Sequence, residues 1–140
     1  MGDDKVRRVR VAKALFVAGF GDTYDKAFGR VHWLTAISWA ESGCQELATY
    51  TNTDGSVDRG AWQLNSVYES DCSDECAYNV ECAAQFIHTL WKTGPGTPQL
   101  YNRWITYRDG KVGPLANPVR WLQTYRACRV AKRELERGTA

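Results

Sequence analysis

Apolar residues recur at helical spacing in several stretches of the chain, and one polar stretch between them alternates instead. Val6, Val9, Leu15 and Phe16 make the first helical segment, opened by Asp3 and Asp4 and ended by Gly19 and Gly21. The second, capped by Asp22 or Thr23, runs on to Glu41: Leu34, Ile37 and Glu41 share one stripe, Trp33, Ala36 and Ala40 widen it, and Gly43 supplies a stop. Asp74 and Glu75 precede a third, in which Val80, Ala83, Ala84, Ile87 and Trp91 keep the helical period until Gly94-Pro95-Gly96. Residues 99–108 read as a short helical wall carrying Trp104, and Lys111 to Asn117 as a Gly/Pro loop. Asn117 then caps a last helix with Pro118 in its first position and Leu122, Tyr125 and Cys128 facing inward. Tyr50 to Ser66 lacks this period. It is rich in Thr, Asn, Asp, Gly and Ser, and Asp54-Gly55 predicts a hairpin turn between strands Thr49–Thr53 and Ser56–Asn65. The fold class this predicts is α+β, mostly helical, with one small antiparallel β-hairpin.

A length of 140 residues, 44% of them hydrophobic, suits one domain with a real core, read as 1–140. Its core spans about 22–110, between basic terminal helices at 4–18 and 118–137. The net charge of +2 is unevenly spread. Lys5, Arg7, Arg8, Arg10 and Lys13 crowd one end, and Arg120, Arg126, Arg129, Lys132, Arg133 and Arg137 the other. Residues 14–119 hold seven bases against twelve acids. Such ends could hold the protein on an anionic surface or a partner; solvated helix faces are the plain alternative. Neither basic run carries a stacking motif, which argues against nucleic acid. The first ten residues are charged and the apolar run Ala14–Phe20 is short and holds Gly19, so no signal peptide and no membrane insertion are expected.

The candidate chemistry is a pair of carboxylates in unlike settings. Glu41 ends an apolar helix, where partial desolvation favours its neutral, proton-donating form. The alternative is a Glu at a frayed helix end or paired with Arg30. Asp58 sits on the returning strand of the polar hairpin, in a setting that keeps it ionised. Two carboxyls held at different protonation states at one pH are what acid-assisted cleavage of a glycosidic bond requires. Gly60 lets a backbone approach closely, and Gln63 and Asn65 flank Leu64 on one face, as amides on a groove floor that suit sugar hydroxyls. A polar hairpin with one inward face is the competing reading. Six Trp and seven Tyr are generous for this length. Core packing is their default use, and stacking on sugar faces would use a surplus.

Glu41-Ser42, Asn52-Thr53-Asp54-Gly55-Ser56-Val57-Asp58-Arg59-Gly60 and Gln63-Leu64-Asn65-Ser66 together resemble the signature of the c-type lysozymes, down to the sequence separation of 17 from one carboxylate to the other. Asn102-Arg103-Trp104-Ile105-Thr106-Tyr107-Arg108 resembles that family's Asn-x-Trp-x-x-Trp-Arg segment. Glu41-Ser42-Gly43 and Gly60-Ala61-Trp62-Gln63-Leu64-Asn65 look equally like the lysozyme-like transglycosylase domains of phage tail and cell-wall proteins. The resemblance covers about residues 32–110. It implies a lysozyme-like fold with an active-site cleft, Glu41 as general acid, Asp58 as nucleophile or electrostatic stabiliser, and Trp104 as the indole packed near Glu41. On the substrate side it implies Asn52, Gln63, Asn65, Tyr68, Trp104 and Tyr107. Asn52 and Asp54 have turn roles as their alternative. The implied substrate is the β-1,4-linked MurNAc–GlcNAc strand of peptidoglycan, with no cofactor and no metal. Hydrolysis is expected because Asp58 keeps the family spacing. Lytic transglycosylation, or an idle glycan-binding or tail module, stands as the alternative. With no export signal expected, attachment to a phage tail is the simplest route to the wall and release by lysis the second.

The chain also departs from the c-type pattern. Val67-Tyr68-Glu69 stands where that family has an aromatic pair, leaving Tyr68 as the one stacking surface. The four-disulfide framework is absent. Five cysteines leave at least one thiol free or intermolecular. One disulfide from Cys72, Cys76 and Cys82 is expected; Cys82 fits a family position, with Cys72 or Cys76 as its partner. Cys44 and Cys128 have no counterpart. A zinc site joining Cys44 to those three is the alternative, on spacings loose for structural zinc. His32 and His88 read as structural.

Overall fold

The N-terminal helix packs against three others, one of which carries Glu41. The structure, a computed structural model, describes residues 2–21, 29–96 and 99–138. Helix α1 (Gly2–Ala18) packs on α2 (Arg30–Ser42), on α4 (Val80–Thr93) and on α6 (Pro118–Glu136). Val11 and Leu15 of α1, Val31, Leu34 and Ile37 of α2 and Ile87 of α4 meet in the core, each 1% exposed or less. The run Ala14–Phe20, weighed above for membrane character, lies with one side in the core: Leu15 and Phe20 are fully buried, while Val17 is exposed. Among the described residues no helix is long and apolar enough to cross a membrane.

Helix α2 keeps the expected stripe but begins at Arg30, with Gly29 as its cap residue. Asp22 and Thr23, the expected caps, lie outside the described residues. The Arg30 guanidinium lies 4.4 Å from the centre of the Trp91 ring, where cation–π attraction holds it. At the other end Gly43 adopts the left-handed conformation (φ 67°), and its N–H reaches the carbonyls of Ser38 and Trp39, closing the helix two residues after Glu41.

The sheet has three strands, not two: β1 (Thr49–Thr51), β2 (Val57–Arg59) and β3 (Leu64–Asn65), antiparallel in the order β1-β2-β3. The returning strand breaks because the chain turns at Gly60. At φ 80°, Gly60 lies so close to the Ala77 carbonyl that a Cβ would sit 1.9 Å from its oxygen. Only glycine fits there. The turn is tied down on α2: the Ser38 and Ser42 hydroxyls donate to the Ala61 carbonyl at 2.8 and 2.6 Å, and Trp62 Nε1 donates to the Leu34 carbonyl at 2.9 Å.

The third expected helix is α4, and a short helix not expected from the sequence precedes it. Asp74 and Glu75 belong to α3 (Asp74–Ala77), capped by Ser73, while Asn79 caps α4. Asn and Ser side chains compete for backbone N–H groups and so restart the helix. The Cys76–Cys82 disulfide bridges the junction, which selects Cys76 over Cys72 as the partner of Cys82. It also removes two of the four thiols of the alternative zinc set. Cys44, Cys72 and Cys128 are free and buried.

Residues 99–108 form a 3₁₀ turn (Tyr101–Arg103), an extended Trp104 and then α5 (Ile105–Arg108). Asn117 caps α6 by accepting from the Arg120 N–H at 3.1 Å. The inward face of α6 is Trp121, Thr124, Ala127, Cys128 and Ala131, while Leu122 is 47% exposed and Tyr125 only part-buried. Of the expected face, Cys128 is buried, while at the other two positions the buried residues are Trp121 and Thr124, one place earlier. Trp121 anchors the helix instead, stacked at 3.8 Å on His32 of α2.

Candidate active site

A cleft of about 760 Å³ runs between the sheet and the segment 102–108. Glu41, Asp58, Tyr68, Trp104 and Arg108 are among the residues that line it, and no residue of α1 or α6 does.

The helical wall comes first. Glu41 emerges from the last turn of α2, half-buried, at the helix end where the backbone dipole disfavours negative charge. Thr106 Oγ1 donates to its Oε2 at 2.7 Å, and the Thr106 backbone N–H also hydrogen-bonds the carboxyl. That N–H is available because Thr106 lies in the first turn of α5, where no helical carbonyl precedes it. Burial dominates the balance and pushes the Glu41 pKa above the usual carboxylate value, opposed by the Thr106 hydrogen bonds, raised further by Asp58 and lowered by Arg108. Trp104 forms the neighbouring surface. It is 4% exposed, and its Nε1 donates to the Trp62 carbonyl at 2.7 Å. Leu34, Trp62 and Trp104 are thereby linked from α2 to the cleft wall by two buried hydrogen bonds.

The sheet wall is built from amides and hydroxyls. Asp58 lies on β2 opposite Asn65 of β3, and Asn65 Nδ2 donates to Asp58 Oδ1 at 3.0 Å. The Asn65 side-chain oxygen Oδ1 accepts the N–H groups of Val67 and Tyr68, which fixes the amide in that orientation. Behind Asp58, Arg59 turns the other way and is 3% exposed. Its guanidinium donates to the carbonyls of Leu64, Cys72 and Glu69 and to Asp74, tying β3 and the following loop together. At the rim, Arg103 pairs with the buried carboxylate of Glu69, joining the two segments that border the cleft.

The structure thus brings seven of the eight expected site residues to one cleft: Glu41, Asp58, Asn52, Gln63, Asn65, Tyr68 and Trp104. Tyr107 is not among its lining residues. It packs edge-on to Trp33 at 5.5 Å and against Tyr101 at 5.3 Å, because the extended Trp104 rotates the following helix so that Thr106 and Arg108 approach Glu41 instead. The amides also divide by role. Gln63, at φ 52°, spends its Nε2 on the carbonyls of Ala48 and Gly60, holding a backbone conformation costly for a residue with a Cβ. Asn52 donates to Ser56, and Asp54 accepts the Ser56 N–H and hydroxyl, so both close the β1–β2 turn. Those same Ser56 contacts hold the fully exposed Asp54 carboxyl below its usual pKa. Tyr68, 82% exposed, offers a free ring face.

Sequence reasoning missed Thr106, Arg108 and Arg59. Arg59 carried a signal, being a basic residue directly beside Asp58 in a strand whose alternate positions face inward. Thr106 carried none, since a threonine in a short helical segment is ordinary.

Among the described residues no cluster of His, Cys, Asp or Glu has the arrangement to hold a metal ion. The sequence model of the family described as "Lysozyme like domain" matches residues 23–101, a stretch that contains both carboxylates and the whole sheet. No curated protein matches the chain.

Proposed function

The chain belongs to the lysozyme-like domain family, and from that premise we propose that it is a muramidase, hydrolysing the MurNAc–GlcNAc β-1,4 bond of peptidoglycan with Glu41 as general acid and Asp58 as its anionic partner. The family acts on peptidoglycan glycan strands as glycosidases or transglycosylases. One observation carries the finer reading: two carboxyls share one cleft in unlike surroundings, Glu41 half-buried at a helix end and Asp58 on a strand among amides and hydroxyls.

A strand laid along the cleft would present its glycosidic oxygen to Glu41. Glu41 protonates that oxygen as the C1–O bond breaks, and the leaving sugar departs with the proton. The positive charge that grows on C1 and the ring oxygen is met by Asp58, by bond formation or by electrostatics. The Glu41 carboxylate, now stabilised by Thr106, takes a proton from a water that adds to C1 and yields a reducing end. This is the division of labour between acid and stabiliser in lysozyme itself. In lytic transglycosylation the sugar's own 6-hydroxyl replaces that water and Asp58 has no bond to make.

Purified protein incubated with insoluble peptidoglycan tests the reading. The expected result is a falling turbidity and, by mass spectrometry, fragments with reducing ends. Fragments ending in 1,6-anhydro sugars would move the assignment to transglycosylation, and intact glycan after prolonged incubation would leave a binding module.

A further inference from the structure

We propose that Thr106 is the positioning residue of the reaction: by donating to one oxygen of Glu41 it assigns the transferable proton to the other. The inference rests on the acid role of Glu41 given above. A carboxyl has two oxygens that are equivalent in water, and a general acid is useful only when the proton sits on the one facing the substrate. Here they are not equivalent. Oε2 accepts the Thr106 hydroxyl at 2.7 Å, and the Thr106 N–H also serves this carboxyl. An oxygen already accepting a hydroxyl proton at that distance is a poor place for a proton of its own, so the neutral form carries it on Oε1.

The same contact works in the second half of the cycle. Once Glu41 has given up its proton, two donors from one residue meet the new charge in a half-buried site. Hydrogen bonds to an ionised acceptor are roughly twice as strong as neutral ones. Thr106 therefore keeps the acid from being so weak that its carboxylate cannot form. The charged groups facing Glu41 from the neighbouring elements are Asp58 of β2 and Arg108 of α5, which act in opposite directions. Thr106 is the group that touches it.

The test compares Thr106→Val, which keeps the shape and loses the hydroxyl, with Thr106→Ser, which restores it. The Glu41 titration is followed by carbon NMR of the labelled carboxyl, alongside pH–rate profiles on peptidoglycan fragments. In Thr106→Val the Glu41 midpoint and the alkaline limb of the rate profile move to higher pH. By the scale of misplacing a reacting group, kcat falls about 10- to 100-fold, with KM nearly unchanged. Thr106→Ser restores all of these toward wild type. An unmoved Glu41 midpoint in a folded Thr106→Val protein overturns the proposal. The NMR arm needs no turnover, so a wild type that titrates as expected but cleaves nothing overturns the muramidase reading separately.

Discussion

The two walls of the cleft hold a carboxyl each and treat it in opposite ways. Glu41 sits at a helix end, hydrogen-bonded by Thr106 and faced by Arg108; Asp58 sits in a lattice of Asn65, Ser56 and Asn52. The helical wall holds its carboxyl against a helix end and one threonine. The sheet wall holds its own in a net of side-chain amides. The difference shows that the family's two acids are separated chemically less by their own identity than by the elements they are mounted on.

The largest effect should come from breaking the helical wall's chemistry. Glu41→Gln keeps size and the Thr106 contact but has no proton to give, so turnover of peptidoglycan should fall by about 10²–10⁴-fold, measured by released reducing ends. Breaking the sheet wall should cost less. Asp58→Asn removes the charge facing the developing cation, and a loss of roughly 10²-fold is expected, as for other preorganised electrostatic partners. If Asp58→Asn instead cleaves at the wild-type rate, the single-acid transglycosylase mechanism gains. Asn65→Ala leaves Asp58 in place but unheld. A hydrogen bond to a charged group is worth about 1.5 kcal/mol at its low end, or about tenfold in rate.

How far these walls could be read from sequence differs in the same way. The stripe of Leu34, Ile37 and Glu41 was legible because a helix repeats its own geometry, and burial of the first two follows directly. The hairpin was legible from Asp54-Gly55, but not the second turn at Gly60, whose cause is the distant Ala77 carbonyl. Tyr107 was expected in the cleft from the resemblance of Asn102–Arg108 to a family segment, and the extended Trp104 sets a phase for α5 that turns it away. Leu122 was expected inside α6 because it is apolar. Trp121, one position earlier, found His32 to stack on and won the face. Local periodicity was readable, and contacts made across the chain were not.

A subtler effect distinguishes the walls by stability. The folded pKa of Glu41 lies above its ordinary value of 4.5, so the folded state keeps this proton longer than the unfolded one does. The associated stability is present below that value and is lost as pH rises through the folded pKa. Glu41→Gln should therefore melt higher than wild type at pH 7 and at about the same temperature at pH 3, by circular dichroism.

The smallest effect is expected far from both walls. Arg126, Arg129 and Arg133 on α6 are exposed, and α6 lends nothing to the cleft. Replacing them with Gln should leave turnover of a short soluble glycan within about twofold, as for other surface changes away from a site. Binding to whole sacculi at low salt should weaken only if these charges meet the wall, a contribution that added salt would screen over about 8–10 Å.

The three buried thiols have a consequence of another kind. Cys44 and Cys128 both lie against Thr35, and burial pushes each thiol's pKa up to about 12, so neither supplies an appreciable thiolate at neutral pH. Alkylating reagents and foreign disulfides can reach them only when the helices part. The folded protein is therefore chemically silent toward oxidants at these positions, while a chain still being folded is not. Its free cysteines act as a clock that runs only when the core is open, and the rate at which they are trapped reads out how often that happens.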